Sequence, residues 1–466
     1  MNQAKTPAMP SPGRRLFLLE AAGLLGLTGC LETPPEGLED TPVPITQFRV
    51  IGQLARDGET SISFGGYLNG ESFQQDGILT YQGYQYSAFW NVETRVVLVR
   101  RPTGDGPWEY TEMAPGYTGT SGDAHSTISL GVSPRDGRLH IAFDHHSSAL
   151  HYVSSVAGMM DSPPSVPWQT ASFGPVTSSL GTQVVDQVTY PRFLTAPDGR
   201  MLLSYRFGAA GSGDEVLWEY DGDTATWTRI GTYIAGIATN VNPYLHSLEF
   251  QGTRLHAAWC WRTTPNAATN QDLLYANSDD FGRTWYSNFD DFVGEAETAP
   301  IALDSNVRVW AIGQNRGLIN QEHMIVDHAG RVHVLLSHLP DDQPDDANFD
   351  SARTKSEFFH YWRDTNGVWT RQPMNIRVQG TWRGKLAVSS SDNLYAVLPN
   401  IRIASASATA NWTNWRLIDI SRDGIYFSDP LIDRQQLYTS DRLTVYTPTA
   451  PIAGVVYIDT IGYTLY

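Results

Sequence analysis

Gly330-Arg331-Val332-His333-Val334 is one copy of a phrase that recurs along this chain: a turn with Gly or Asn, an apolar residue, a histidine or aromatic, and a further apolar run. Other copies read Gly137-Arg138-Leu139-His140-Ile141, Gly199-Arg200-Met201-Leu202-Leu203, Thr253-Arg254-Leu255-His256-Ala257 and Asp392-Asn393-Leu394-Tyr395-Ala396. A weaker copy is Tyr84-Gln85-Tyr86-Ser87-Ala88. Between them, strand-like runs are punctuated by Gly, Asp and Asn turns, which is the all-β pattern. The copies recur roughly every sixty residues, a length that suits a four-stranded propeller blade with generous loops. Residues 45–466 hold about seven such units. The chain is therefore expected to be a seven-bladed β-propeller of four-stranded antiparallel blades. The seventh blade is expected to close by pairing of residues 45–53 with the strands around 455–466, which removes an open sheet edge.

Composition narrows the function. The 466 residues carry 49 acids against 32 Lys and Arg, a net charge of −17. That balance excludes a nucleic-acid binder, which needs a basic footprint. With 41% hydrophobic and 17% charged residues the chain can fill a core and is neither disordered nor fibrous. Two cysteines exclude a disulfide framework and a thiolate zinc cluster.

The N-terminus reads as an address. Arg14-Arg15 precede an apolar run, Leu16 to Leu27, that ends in Leu27-Thr28-Gly29-Cys30. About a dozen residues are too few to span a bilayer as a helix. The ending resembles a bacterial lipobox, in which Cys30 carries the lipid, and Arg14-Arg15-Leu16-Phe17-Leu18 resembles a twin-arginine signal. Residues 31–44, with four prolines and four acids, form a solvated tether. The expected order is signal peptide 1–30, tether 31–44 and catalytic propeller 45–466, exported and lipid-anchored at the bacterial membrane or cell surface, as a monomer. Cys260 is left as a buried thiol.

The repeat sorts the polar residues. His140, His256 and His333 share one register position, which marks them as packing or repeated hydrogen bonds. The Asp-box Ser278-x-Asp280-x-Gly282-x-Thr284-Trp285 is a structural hairpin turn. In an antiparallel hairpin the start of the first strand lies beside the end of the second. That rule puts His125, the Asp144-His145-His146 run, Tyr190 and Arg206 at one rim, on neighbouring blades. Asn242, Tyr244 and Arg262 follow in the next blade, then Gln321, His323 and His338. Histidines, a tyrosine and an arginine so placed suit proton abstraction alpha to a carboxylate. Cations stabilise the charge that builds there, and a phenol beside a guanidinium is expected to have a lowered pKa and to serve as base. Arg206, Arg262, Arg316 and Arg383 would focus positive charge in the cleft of an acidic protein. No His-x-x-x-His or Cys-x-x-Cys spacing marks a metal site.

Asp123-Ala124-His125-Ser126-Thr127-Ile128-Ser129-Leu130-Gly131, Asp136-Gly137 and His140-Ile141-Ala142-Phe143-Asp144-His145-His146 together resemble the signature of the BNR-4 propellers. That group includes the ulvan lyases of polysaccharide lyase families 24 and 25. The likeness runs on through Tyr190-Pro191-Arg192-Phe193, Tyr205-Arg206-Phe207-Gly208 and Trp259-Cys260-Trp261-Arg262. It implies β-elimination on an anionic sulfated polysaccharide with no required cofactor. Tyr190 would take the uronate C5 proton and then protonate the leaving O4, while Arg206, His125 and one of His145 or His146 neutralise the carboxylate. The 20-residue step from His125 favours His145. His146, Asn242, Tyr244, Arg262, Arg316, His323 and Arg383 would bind substrate. Some members hold a structural zinc near the Asp-box strand, where residues 270–275 offer no Cys or His. Rival readings are a lyase or rhamnosidase acting on rhamnosyl-glucuronate in another polymer, and a non-catalytic glycan binder. Changing Cys30→Ser should abolish lipid attachment, because only the thiol accepts the diacylglyceryl group. Detergent partitioning of the two exported proteins checks this.

Overall fold

The recurring phrase forms the second strand of each blade. In a computed structural model these strands are Tyr84–Trp90, Arg138–Phe143, Met201–Ala209, Arg254–Arg262, Val332–His338, Leu394–Leu398 and, in the last blade, Arg442–Pro448. The structure describes residues 43–466 except 64, 65, 72, 74, 75, 105, 381, 422, 423, 427 and 428. The expected signal peptide with Cys30, and most of the expected tether, lie outside the described residues. Second strands sit between first and third strands and between neighbouring blades, so nearly all their side chains are buried, as in Arg254–Arg262.

Seven antiparallel sheets form the ring. The first blade runs Ile78–Tyr81, Tyr84–Trp90, Val96–Pro102, Glu109–Glu112. The fifth, sixth and seventh blades also have four strands. The second blade has three named strands, with bridges Ser155↔Phe173 and Tyr152↔Thr177 along its outer side. The third blade gains a fifth strand, His146–Ser148, which pairs with its first strand Val188–Thr195. The fourth has Asn242–Gln251, Arg254–Arg262, Asn270–Ser278, Thr284–Tyr286 and Phe292–Glu295, with Arg308–Trp310 added beside the third.

The ring is closed by its two ends. Thr46–Gly58 pairs antiparallel with Val456–Thr464, from Thr46↔Thr464 to Gly58↔Val456. Val43 and Ile45 pack against the cluster around Tyr395, Val445 and Tyr463, and Ser405 Oγ donates to the Val43 carbonyl (2.8 Å). A second closure lies at the centre. Arg434, opening the helix Arg434–Thr439, donates to both carboxylate oxygens of Asp76 (3.0 and 2.9 Å) and also to Glu249 of the fourth blade. Asp433 accepts from Thr80 and Gln85 of the first blade, joining last blade to first.

The residues set aside as structural behave so. His140 and His256 bond the phenols of Tyr152 and Tyr275, and His333 bonds Asp327 and His360. In the Asp-box, Asp280 accepts from Ser278 Oγ and from the amides of Arg283 and Thr284, while Trp285 Nε1 donates to the Gly282 carbonyl. Cys260 is a buried thiol that burial pushes up to about 12.

A chain starting near Thr41 should therefore fold. One that loses residues through Gln53 should melt roughly 10 °C lower or more, because it exposes a strand edge and unpairs the closing blade. Calorimetry of the two truncations measures the difference.

Candidate active site

The hairpin rule puts the candidate residues at one rim, and two local departures from regular sheet bring them together. The first is a β-bulge. Thr189 pairs with Arg206 and Arg192 with Ser204, so one extra residue is accommodated at Tyr190-Pro191. Tyr190 takes a left-handed backbone, φ +57°, which an L-aromatic residue adopts only under constraint. A bulge of this kind re-aims a side chain that strict alternation would point elsewhere. The Tyr190 ring lies 5.1 Å from Phe73, 5.5 Å from His125 and 6.2 Å from Tyr244, centre to centre.

The second departure is a crossing between blades. After Phe143 the chain leaves the second blade through Asp144 (φ +62°) and lays His146–Ser148 against the third, with His146↔Thr189 in register. This step carries His146 next to the Tyr190 bulge. The His125 and His146 rings stack 3.8 Å apart at 14°. One carboxylate holds both: Asp123 Oδ1 accepts from His125 Nδ1 (2.6 Å) and Oδ2 from His146 Nδ1 (2.6 Å). Burial works to raise the Asp123 pKa, and the hydrogen bonds from the two imidazoles outweigh it and hold the carboxyl far below the usual range. Burial lowers the His125 pKa, with the hydrogen bond to Asp123 opposing.

Behind these rings lie two guanidiniums. Arg206, 1% exposed, donates to Thr189 Oγ1 (2.8 Å) and, at longer range, to Tyr244 Oη (3.4 Å) and Ser147 Oγ (3.5 Å). Its Nε has no hydrogen-bond partner among the described residues. Arg262 donates to Asn270 Oδ1 (2.8 Å), Asn320 Oδ1 (2.6 Å) and Tyr244 Oη (3.3 Å). Neither makes an ion pair with a carboxylate among the described residues. Glu215, across the strand from Arg206, interacts with Arg192 and Ser204, and burial raises its carboxyl to about 7. Tyr244 Oη also accepts from Asn242 Nδ2 (3.3 Å).

The expected site is thus assembled in part. His125, His146, Tyr190, Arg206, Asn242, Tyr244 and Arg262 come together. His145 does not: it is fully buried, its Nε2 accepts from the His151 amide (2.8 Å), and its ring stacks on His151. The crossing points successive residues in opposite directions, so that His146, and not the sequence-preferred His145, lies in the cluster. His323 accepts from the Leu386 amide and staples the fifth blade to the sixth. Arg316 holds the carbonyls of Leu339 and Gln343 and pairs with Asp345, on the outer loop of the fifth blade. Arg383 pairs with Asp429 and lies over the Phe73 ring at 4.8 Å, at the border of the site. A lowered phenol pKa was expected for Tyr190; burial outweighs the guanidiniums and raises it in the ligand-free chain.

Asp123, His125 and His146 present donor atoms close enough to be weighed as metal ligands. Their geometry fits a hydrogen-bonded triad better. Both Nδ1 atoms are already engaged by the carboxylate of Asp123.

Over residues 84–377 the sequence matches the BNR repeat-containing family. The chain belongs to that family. Among curated proteins it resembles the long isoform of ulvan lyase from Pseudoalteromonas sp. (strain PLSV), 25% identical over 51% of this chain and 28% of that one. It also resembles the short isoform from Alteromonas sp. (strain LOR), 25% identical over 47% of this chain and 50% of that one. The alignments thus span half or less of these relatives' length. Among solved structures, polysaccharide lyase Uly1 superposes with TM-score 0.65 at 17% identity, covering 90% of this chain and 99% of that one. A PL25 ulvan lyase bound to -[GlcA(1-4)Rha3S]- gives 0.64 at 11% identity, covering 88% and 96%. These likenesses show the fold.

The two neighbouring histidines should separate by stability. Removing His145 leaves the His151 amide buried without its acceptor, at a cost of about 1–3 kcal/mol. His145→Ala should therefore lower stability by that order in a denaturant titration, and His146→Ala, on an exposed ring, by much less.

Proposed function

We propose that the chain is a polysaccharide lyase that cleaves ulvan, a sulfated rhamnose–uronate polymer, by β-elimination to 4,5-unsaturated uronate oligosaccharides. One observation carries the reading. Two buried guanidiniums, Arg206 and Arg262, face the Tyr190 and Tyr244 phenols, and their hydrogen-bond partners among the described residues are all neutral. Burying a cation without an anion is costly unless a ligand supplies the anion. A uronate carboxylate docked there would receive both. The relatives named ulvan lyase agree with that chemistry.

In this reading the chemistry proceeds as follows. Arg206 and the histidine pair meet the uronate carboxylate, and their stabilisation grows as negative charge accumulates on it during loss of the C5 proton. Tyr190 takes that proton as phenolate and, as phenol, returns a proton to the departing O4. Burial opposes the phenolate, and Arg206, Arg262 and Arg383 favour it. His146 replaces His145 as the second imidazole at the carboxylate. Phe73 and Tyr244 wall the bulge and keep Tyr190 in place. Export and anchoring through Cys30 would put the enzyme where a polymer too large to import can be cut.

A rhamnosidase or a binding protein on the same scaffold makes no conjugated product, so the ultraviolet absorbance of unsaturated uronate on incubation with ulvan decides among the three. Tyr190→Phe should lose about 10²–10⁴-fold in turnover while still binding oligosaccharide. Arg206→Ala and His146→Ala should lose about 10²–10³-fold. Because the active base is the ionised phenol of a group whose pKa is raised, kcat/KM should climb with pH on the alkaline side of neutrality. A flat profile there removes Tyr190 as base.

A further inference from the structure

Between the fourth and fifth blades the outer wall of the propeller carries a groove of about 370 Å³. The extra strand of the fourth blade builds it. Arg308–Trp310 lies beside the third strand, with Leu273↔Trp310 and Leu274↔Arg308, and forms the floor. One lip is the turn after Thr284–Tyr286, where Ser287 Oγ accepts from the amides of Phe289 and Asp291. The other is the turn between the strands Glu357–Arg363 and Trp369–Arg377, where Asp364 accepts from the amides of Asn366 and Val368. Asn288 bolts the lips together. It donates to the Gly367 carbonyl (2.7 Å) and accepts from Arg363 Nε (2.7 Å) and Trp369 Nε1 (2.9 Å).

The lining suits a sugar chain that carries negative charge. Phe289 is 70% exposed and Val368 58%, and exposed apolar side chains grouped in a groove mark an interaction surface. Trp310 is set edge-on against Tyr361 (5.5 Å) and Trp369 against Tyr275 (5.6 Å), so both rings are placed before anything binds. The C–H faces of pyranose rings can lie on such surfaces, and the Asn306 amide can meet their hydroxyls. Among the described residues that line the groove Arg308 alone is charged; its side chain is 63% exposed, with Asp272 3.6 Å away. On a chain of net charge −17, a groove whose own charge is positive is complementary to a polyanion. We propose that this groove is a second, non-catalytic binding site for an anionic polysaccharide, holding a further stretch of the polymer whose uronate lies in the active site. It rests on the lyase reading for the identity of that polymer. The two places share a strand: Asn270, which holds Arg262, stands three residues before Leu273, roughly 10 Å along the chain. A long polymer that meets both places gains from the raised effective concentration at the second, and a short fragment does not.

Phe289→Ala combined with Arg308→Gln tests it, because both side chains are exposed and the fold does not depend on them. In native gels cast with ulvan, the Tyr190→Phe chain should be retarded, and adding the two groove changes should weaken its apparent affinity by about tenfold. With Tyr190 intact, the groove variant should show a KM for polymeric ulvan raised by about tenfold and an unchanged kcat/KM on an ulvan tetrasaccharide. Unchanged retardation together with an unchanged polymer KM overturns the proposal. An equal loss on the tetrasaccharide also overturns it, since the groove would then be acting through the active site. A dimer in analytical ultracentrifugation that the two changes dissolve would make a second copy the occupant and overturn it as well. The lyase reading fails separately: a chain that yields no unsaturated product from ulvan, yet is retarded by it through Phe289 and Arg308, keeps the groove and loses the reaction.

Discussion

The site depends on buried positive charge that the described residues do not neutralise. Taking a guanidinium out of water costs several kcal/mol unless an anion or a full set of hydrogen bonds receives it. Arg434 shows the ordinary solution, with Asp76 and Glu249 around it at the centre of the ring. Arg206 and Arg262 do not follow it. Their partners are Thr189, Asn270, Asn320 and a shared phenol, and Arg206 Nε goes unmet. An enzyme that stabilises a growing carboxylate charge needs donors set in advance and not already satisfied by its own acids. The net charge of −17 makes the contrast sharper: acids are abundant on this chain, yet among the described residues none forms an ion pair with these two groups, and Glu215 acts on Arg206 only from the neighbouring strand.

The propeller supplies the rigidity such an arrangement requires. Its ring is closed at the periphery by Thr46–Gly58 on Val456–Thr464 and near the axis by Arg434, so the starts of the first strands face one another across a fixed opening. Regular strands alone would not assemble the site. The Tyr190 bulge, its left-handed backbone and the crossing of His146–Ser148 each break the blade geometry, and all three lie within one cluster of side chains. Strain and irregularity concentrated at a functional site are what a scaffold with stability to spare permits.

Much of this was legible in the sequence. The phrase around Leu139, Leu255 and Val332 announced the second strands, and the hairpin rule placed Tyr190 beside Arg206 and Asn242 beside Arg262, as their paired strands show. The seventh copy, Asp441-Arg442-Leu443-Thr444-Val445, is harder to recognise because Thr444 stands where most of the others carry a histidine or aromatic and its spacing is short. Asp123 was overlooked although it lies two residues from His125; an Asp-x-His pair in a loop is the one local signal that would have found it. The choice between His145 and His146 was not legible, since it rests on a strand leaving its own blade for the next. His323 and Arg316 lie outside the cluster for a related reason. Sequence puts them at the right rim, and only packing shows that a backbone amide and a loop of carbonyls already occupy them.

The central claim is that Arg206 and Arg262 await a carboxylate. Its most direct test is the affinity of the Tyr190→Phe chain for ulvan oligosaccharides against the same oligosaccharides with each uronate carboxyl reduced to a hydroxymethyl group. The sugars keep their rings, linkages and sulfates and lose only the anion in question. The account predicts that reduction weakens binding by about tenfold or more, as expected when a buried charged hydrogen bond loses its partner. Equal affinity for the two would contradict it.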